Sequence, residues 1–227
     1  MLNDFISLIF PEVCASCGNS LYKREDTICT WCVYHLPKTN FHLYNDNPVA
    51  KIFWGRVNIY SAGAYYGFNK GGKVQHLVHQ LKYKGKKEIG HVLGKLYGPE
   101  LKKSSDFCTI QTVIPVPLHP KKVKKRGYNQ SEAFASGLAE SMAAEPDFKT
   151  LYRIRESATQ TKKSRFHRWQ NVESIFELAN RESHSGKHIL LVDDVITTGA
   201  TLEACAQTLQ KIPDVKISIA TIAYAAN

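Results

Sequence analysis

From residue 59 onward, the apolar positions fall into short runs that alternate with stretches of helical spacing. IYSAGAYYGF (59–68), TIQTVIPVPL (109–118), LYRIR (151–155), SIFEL (174–178), HILLVDD (188–194) and VKISIATIAYA (215–225) read as strands. Helices are predicted near 73–82, 87–97, 130–143 and 199–211, the last with Leu202, Ala206 and Leu209 at helical spacing. Such alternation argues for an α/β fold, a parallel sheet with helices covering its faces. The wholly apolar ILLV fits a central strand buried on both sides. No internal repeat or low-complexity tract interrupts the pattern.

Residues 1–45 differ, with four of the six cysteines and little periodicity. FHLYNDNPVA follows, its Asn-Asp-Asn-Pro turn signal predicting a linker over 46–58 and a main domain over 59–227. The opening MLNDFISLIF lacks a basic start and a small-residue cleavage site and carries Asp4, so it reads as no signal peptide. A short helix docking Leu2, Phe5, Ile6 and Ile9 on the body is expected instead. No apolar run approaches the roughly 20 residues that span a bilayer, and the expected compartment is the cytoplasm, where thiols stay reduced.

That expectation decides how the cysteines are read. Cys14-Ala-Ser-Cys17 and Cys29-Thr-Trp-Cys32 form two CxxC knuckles separated by eleven residues. Four thiolates so spaced suit tetrahedral Zn²⁺ in a closed, structural site, although the ligand set alone also admits an iron–sulfur cluster. Cys108 and Cys205 read as core residues.

Charge narrows the partners. Lys and Arg outnumber Asp and Glu by 30 to 20, which points to a phosphate-rich ligand: nucleic acid, an acidic membrane surface or a small phosphorylated metabolite. Lys82, Lys84, Lys86 and Lys87 interleave with Tyr83, suiting nucleic acid or a solvated face. Lys121, Lys122, Lys124, Lys125 and Arg126 make a second cationic run. The nine histidines show no ligand spacing.

The most specific stretch is ILLVDDVITTGAT (189–201). An apolar strand ends on two aspartates, then a small polar loop opens a helix. Ligands of open α/β sheets bind beyond such strand ends. Thr197, Thr198, Gly199, Ala200 and Thr201 offer amides and hydroxyls to a phosphate, and Gly199 permits close approach. Asp193 and Asp194 beside an anion site make sense if they accept from ribose hydroxyls or help hold Mg²⁺. A plain Asp N-cap explains one Asp and one Thr of this string, not all of it. Neither a P-loop nor a GxGxxG dinucleotide fingerprint is present.

The thirteen residues resemble the PRPP-binding motif of type I phosphoribosyltransferases. VIPVPLHPKKVKKRGYNQSE (113–132), QTKKSRFHRWQNV (160–172) and QLKYKGKKEIG (80–90), with the cysteine module, resemble the ComF family of phosphoribosyltransferase-like proteins. The resemblance implies a type I phosphoribosyltransferase-like parallel sheet flanked by helices, with a small N-terminal four-cysteine zinc module. It implies that Asp193 and Asp194 hold the ribose hydroxyls of PRPP with Mg²⁺ nearby, and that Thr197–Thr201 cradle the 5′-phosphate. Pro115, Val116, Pro117 and Leu118 would form the pyrophosphate loop, with Arg126 closing its wall. A covering loop over 160–168 would bring Lys163, Arg165 and Arg168 to the pyrophosphate, Arg165 in a catalytic role. The implied activity is phosphoribosyl transfer to an unidentified acceptor, linked to DNA uptake in natural transformation, with glutamine-dependent activity not expected. The other implied function is non-enzymatic: a competence protein that uses the fold to bind single-stranded DNA or sense PRPP, with competence helicase-type proteins as partners.

Overall fold

The computed structural model describes residues 11–154 and 175–226. The expected docking helix at Leu2–Ile9 and the covering loop with Lys163, Arg165 and Arg168 lie outside them.

After the first knuckle, Cys29 leads into helix α1 (Thr30–His35), and a 3-10 turn follows at Phe41–Leu43. Helix α2 (Pro48–Lys51) starts on Asn47, which is fully buried. The Asn47 side chain accepts from the N–H groups of Val49 and Ala50, both at 2.9 Å, and donates to the carbonyls of Phe41, Tyr44 and Ala62. A single amide thus meets helix-start donors and loop acceptors at once. The stretch expected as a linker therefore packs into the body, with Val49 and Phe53 at 0 % exposure.

Strand β1 (Ser61–Gly67), helices α3 (Lys73–Tyr83) and α4 (Glu88–Lys102), strand β2 (Thr112–Pro115) and helices α5 (Pro120–Arg126) and α6 (Gln130–Met142) come next. The chain continues through β3 (Glu145–Pro146), β4 (Leu151–Arg153), β5 (Phe176–Leu178), β6 (His188–Ile196), α7 (Ala200–Leu209) and β7 (Lys216–Tyr224). The main sheet has the order β1-β7-β6-β2-β3 with every pair parallel; β4 and β5 form a separate antiparallel pair.

Both faces are covered, as the alternation predicts. Leu190 and Val192 of β6 pack with Leu77, Leu93, Phe134 and Leu138 from α3, α4 and α6. Ile189 and Leu191 face Val49, Phe53, Leu202 and Leu209. Each such buried side chain contributes roughly 1.5–3 kcal/mol. Helices α4 and α6 touch at backbone distance, because a Cβ on Gly137 would run into the carbonyl of His91.

The cysteine module is stitched to this body. Residues 37–39 run along the outer edge of β1, with Thr39 N–H donating to Tyr65 O at 3.0 Å and Gly67 N–H to Pro37 O at 2.9 Å. That contact covers a strand edge otherwise open to pairing. Cys205 is fully buried, as expected, but Cys108 is exposed in a turn, its Sγ 3.3 Å from Ser105 O. Its neighbours Phe107 and Ile110 take the core positions instead. The cationic run over 121–126 is helical: Pro120 opens α5 at a position that needs no N–H, and none of its residues is buried.

Candidate functional site

Strand β6 is hydrogen-bonded on both sides, so its carboxyl end lies mid-sheet, between the ends of β2 and β7. Asp193 stays partly exposed there, and Asp194 is 3 % exposed. The two carboxylates have different partners. Asp193 Oδ1 accepts from Ser131 Oγ and from the Asp194 N–H, both at 2.8 Å. Asp194 Oδ1 accepts from the Val195 N–H at 2.6 Å and pairs with Lys82 Nζ at 2.9 Å. Asp194 Oδ2 is buried with no partner. Burial and the adjacent Asp194 charge push the Asp193 carboxyl up to about 7, against the opposing pull of Ser131, the Asp194 N–H and Lys82.

Beyond the acids, Thr197 and Thr198 are exposed and α7 begins at Ala200 with no side-chain cap. Asp193, Ile196 and residues 197–201 surround a hollow of about 60 Å³, the size of a small anion. The first N–H groups of an uncapped helix are left to solvent or a ligand. Gly199 is required twice: its φ is +73°, and a Cβ would stand 2.5 Å from Ile52 Cγ2. Arg56 braces the loop from below, donating to Thr198 O and Ile52 O at 3.1 Å and pairing with Glu203.

The opposite wall is the end of β2. Pro115 and Val116 are buried, Pro117 and Leu118 half-buried. Val116 N–H donates to Val192 O at 2.8 Å, and Val116 O accepts from Asn129 Nδ2 at 3.1 Å. Asn129 Oδ1 also caps α6 through the Ser131 N–H at 3.1 Å, so one buried amide ties the 115–118 loop to the serine that holds Asp193. Arg126 donates to Gln130 Oε1 and lies 5.7 Å over the Tyr83 ring. With Lys82, Tyr83, Gly85, Lys122 and Lys125 it lines a basic cleft of about 440 Å³. A larger hollow, about 540 Å³ between Trp54 and Ser61, opens at the start of β1 and has no acidic residue in its lining.

Three contributors were not assigned to the site from the sequence. Ser131 and Lys82 lie in the 113–132 and 80–90 segments that carry the family resemblance but were given no role there, and Arg56 lies in no such segment.

The four cysteines do come together: their sulfur atoms lie within 4.8 Å of one another. Cys14 Sγ accepts from the N–H groups of Ser16 at 3.4 Å and Cys29 at 3.2 Å. Burial raises the Cys14 thiol, and N–H groups of Cys29, Cys17 and Ser16 outweigh it to bring the group to about 7. A closed set of four thiols, with amides already aimed at sulfur, fits a tetrahedral metal ion.

Residues 128–227 match the phosphoribosyl transferase domain family. The chain is 35% identical over 136 residues to the DNA utilization protein YhgH of Salmonella typhi; the alignment covers 59% of each chain, so it spans less than two thirds of that relative. It is 28% identical to competence protein F of Haemophilus influenzae, covering 66% of this chain and 67% of the relative. It is 27% identical to competence protein ComFC of Bacillus subtilis over 87% of this chain and 78% of the relative. A domain match that includes the acidic strand end, joined to similarity with both competence proteins, supports the reading of the chain as a ComF-family phosphoribosyltransferase-like protein.

Proposed function

We propose that the protein binds PRPP with Mg²⁺ at the end of β6 and transfers its phosphoribosyl group to an acceptor, in the service of DNA uptake. The observation that carries this is the meeting of Asp193 with an uncapped helix start around one small hollow, with Asp194 next to it at the strand end. Ribose hydroxyls donate to carboxylates, and a 5′-phosphate accepts from amides; a ribose 5-phosphate carries both groups on one small ligand.

Asp193 and Asp194 hold the ribose, and Thr197–Thr201 the phosphate. Asp193 and Asp194 would also hold Mg²⁺, which when bound would supply positive charge between the acids and the pyrophosphate. Pro115–Leu118 and Arg126 border the leaving group, Lys163, Arg165 and Arg168 are candidate contacts to it from outside the described residues, and the cationic α5 neutralises its developing charge as the acceptor attacks C1 of the ribose. The four-cysteine cluster holds Zn²⁺ in a structural role. The names of the competence and DNA-utilization relatives support the link to incoming DNA.

Calorimetric titration of PRPP with Mg²⁺ tests the site. The wild type should bind with a Kd of about 1–10 µM and Asp193→Asn/Asp194→Asn should not; equal binding by both would overturn the assignment. A second reading, single-stranded nucleic-acid binding, is favoured by the basic cleft beside Tyr83, which joins phosphate neutralisation to a ring for stacking. Steeply salt-dependent affinity for single-stranded DNA in a protein blind to PRPP would select it.

A further inference from the structure

We propose that Lys82 is a positioning residue of the acidic strand end: a built-in counter-cation that keeps divalent ions off Asp194 until an anionic ligand draws its ammonium away. The inference rests on reading Asp193 and Asp194 as the ligand-holding pair.

Four observations carry it. Lys82 Nζ stands 2.9 Å from Asp194 Oδ1, where a metal ion or a ribose hydroxyl would otherwise sit. It engages one oxygen only, leaving Asp194 Oδ2 buried and unpartnered. The pair is asymmetric in burial: the Asp194 side chain is 5 % exposed and that of Lys82 24 %. Finally, Lys82 belongs to the wall of the basic cleft, so a short swing of its stem carries the charge from the carboxylate into a space shared with Lys122, Lys125 and Arg126.

Physical chemistry makes this placement informative. A largely buried ion pair is weak evidence for stability, since desolvation offsets much of its attraction. Two adjacent aspartates at a strand tip are an ordinary invitation to a divalent cation. An ammonium neutralises one of them without occupying both oxygens. As a flexible point charge with no fixed fork, it also leaves more readily than an arginine would.

Helix α3 fixes where that charge is delivered. Val74, Leu77, Val78 and Leu81 bury one face of it. Gln80 Nε2 donates to Ala15 O inside the first cysteine knuckle, and Leu81 O accepts from the Tyr128 hydroxyl. Lys82 is thus held between the cysteine module and the Tyr128 turn that precedes α6, two residues past the first tie and one past the second.

The functional consequence is an order of binding. Divalent ion alone meets a pair already half neutralised and is excluded. A phosphorylated ligand offers Lys82 a stronger partner, and only then are both Asp194 oxygens released to the ribose and its ion.

Mn²⁺ titration followed by electron paramagnetic resonance tests this on the metal-loaded protein without PRPP; thiolates are poor ligands for Mn²⁺, so the cysteine cluster does not interfere. The wild type should bind Mn²⁺ no more tightly than about 1 mM, and Lys82→Met and Lys82→Gln at least about tenfold more tightly. Asp194→Asn in the Lys82→Met background should abolish the gain, and Lys95→Met, which removes an exposed cation paired with Glu140, should produce none. Mn²⁺ affinities within about twofold of wild type in whichever Lys82 variant folds, or a gain that survives Asp194→Asn, would overturn the proposal. The PRPP titration above is read separately: a Lys82→Met gain in a protein that never binds PRPP keeps the counter-cation and removes the PRPP site.

Discussion

The two ends of β6 both bury titratable groups, and they treat them differently. At its start, His188 is 4 % exposed and every polar atom has a partner. Nδ1 meets Thr109 Oγ1 at 2.7 Å, Nε2 meets Ser218 Oγ at 2.9 Å, and the N–H donates to Gln111 Oε1 at 3.1 Å. At its other end, Asp194 Oδ2 has no partner and α7 starts without a cap. An unsatisfied buried group costs about 1–3 kcal/mol. The same strand, with the same neighbours β2 and β7, closes its polar network at one end and leaves it open at the other. What separates a structural polar cluster from a ligand site here is unfilled hydrogen-bonding capacity, not polarity or burial.

The largest expected effect probes how the open end is held from a distance. Helix α3 reaches Asp194 through Lys82 and also touches the cysteine module: Lys73 Nζ lies 4.0 Å over the Trp31 ring, and Gln80 bonds to Ala15 O. Removing the metal with a chelator, or changing Cys14 to Ser, should lower the melting temperature by about 10 °C or more. It should also weaken PRPP binding, although none of the module's four cysteines lines the hollow. A stripped protein that melts earlier but binds PRPP as before would separate the module from the site and break the connection.

A smaller effect sharpens the contrast between the ends. Gly199→Ala forces a side chain onto Ile52 at positive φ, which should lower stability by about 2–4 kcal/mol. PRPP affinity should fall by more than about tenfold, because the loop that meets the phosphate moves. Ser218→Ala, at the closed end, removes one bond to His188 and should cost about 1–2 kcal/mol with PRPP affinity unchanged. Denaturant unfolding and calorimetry on the two variants give both readouts. If both lost stability and ligand in the same proportion, the division of the strand would fail.

How much of this the sequence disclosed follows the distances involved. The cysteine knuckles and ILLVDDVITTGAT are local patterns whose residues act within a few positions of each other, so spacing alone assigns them. The strands and main helices were legible for the same reason. Residues 46–58 looked like a linker because their order comes from one buried amide, Asn47, reaching five other backbone positions and leaving no period to detect. Lys82, Ser131 and Arg56 reach the site from 112, 62 and 142 positions away in the chain, in contacts with Asp194, Asp193 and Thr198. Only the sheet order brings them together, and a lysine among lysines gives no sign of which one is buried against an acid. Cys108 shows the converse: an apolar context suggested a core thiol, but the turn points Phe107 inward and leaves the sulfur outside.

The smallest effect concerns pH, and it turns on opposite signs at the two ends. Burial, with help from Lys216, lowers His188 from 6.5 to about 4. Between those values the unfolded chain binds more protons, so this group makes stability rise with pH up to about 6.5 and lets it fall as the solution is acidified toward 4. Asp193 is displaced the other way, from 3.8 to about 7. Between these values the folded chain binds more protons, and stability falls as pH rises. In the shared window from about 4 to 6.5 the two slopes oppose each other. Asp193→Asn should therefore unmask a steeper gain of stability with rising pH than the wild type shows, and His188→Asn should unmask a loss. Urea unfolding at pH 4.5, 5.5 and 6.5 measures both. Equal slopes in all three proteins would mean that neither end of the strand holds its titratable group away from its ordinary range. Deprotonation of Asp193 near 7 should also tighten PRPP binding as pH rises, and Asp193→Asn should remove that dependence, because only the ionised carboxylate accepts from both ribose and Ser131.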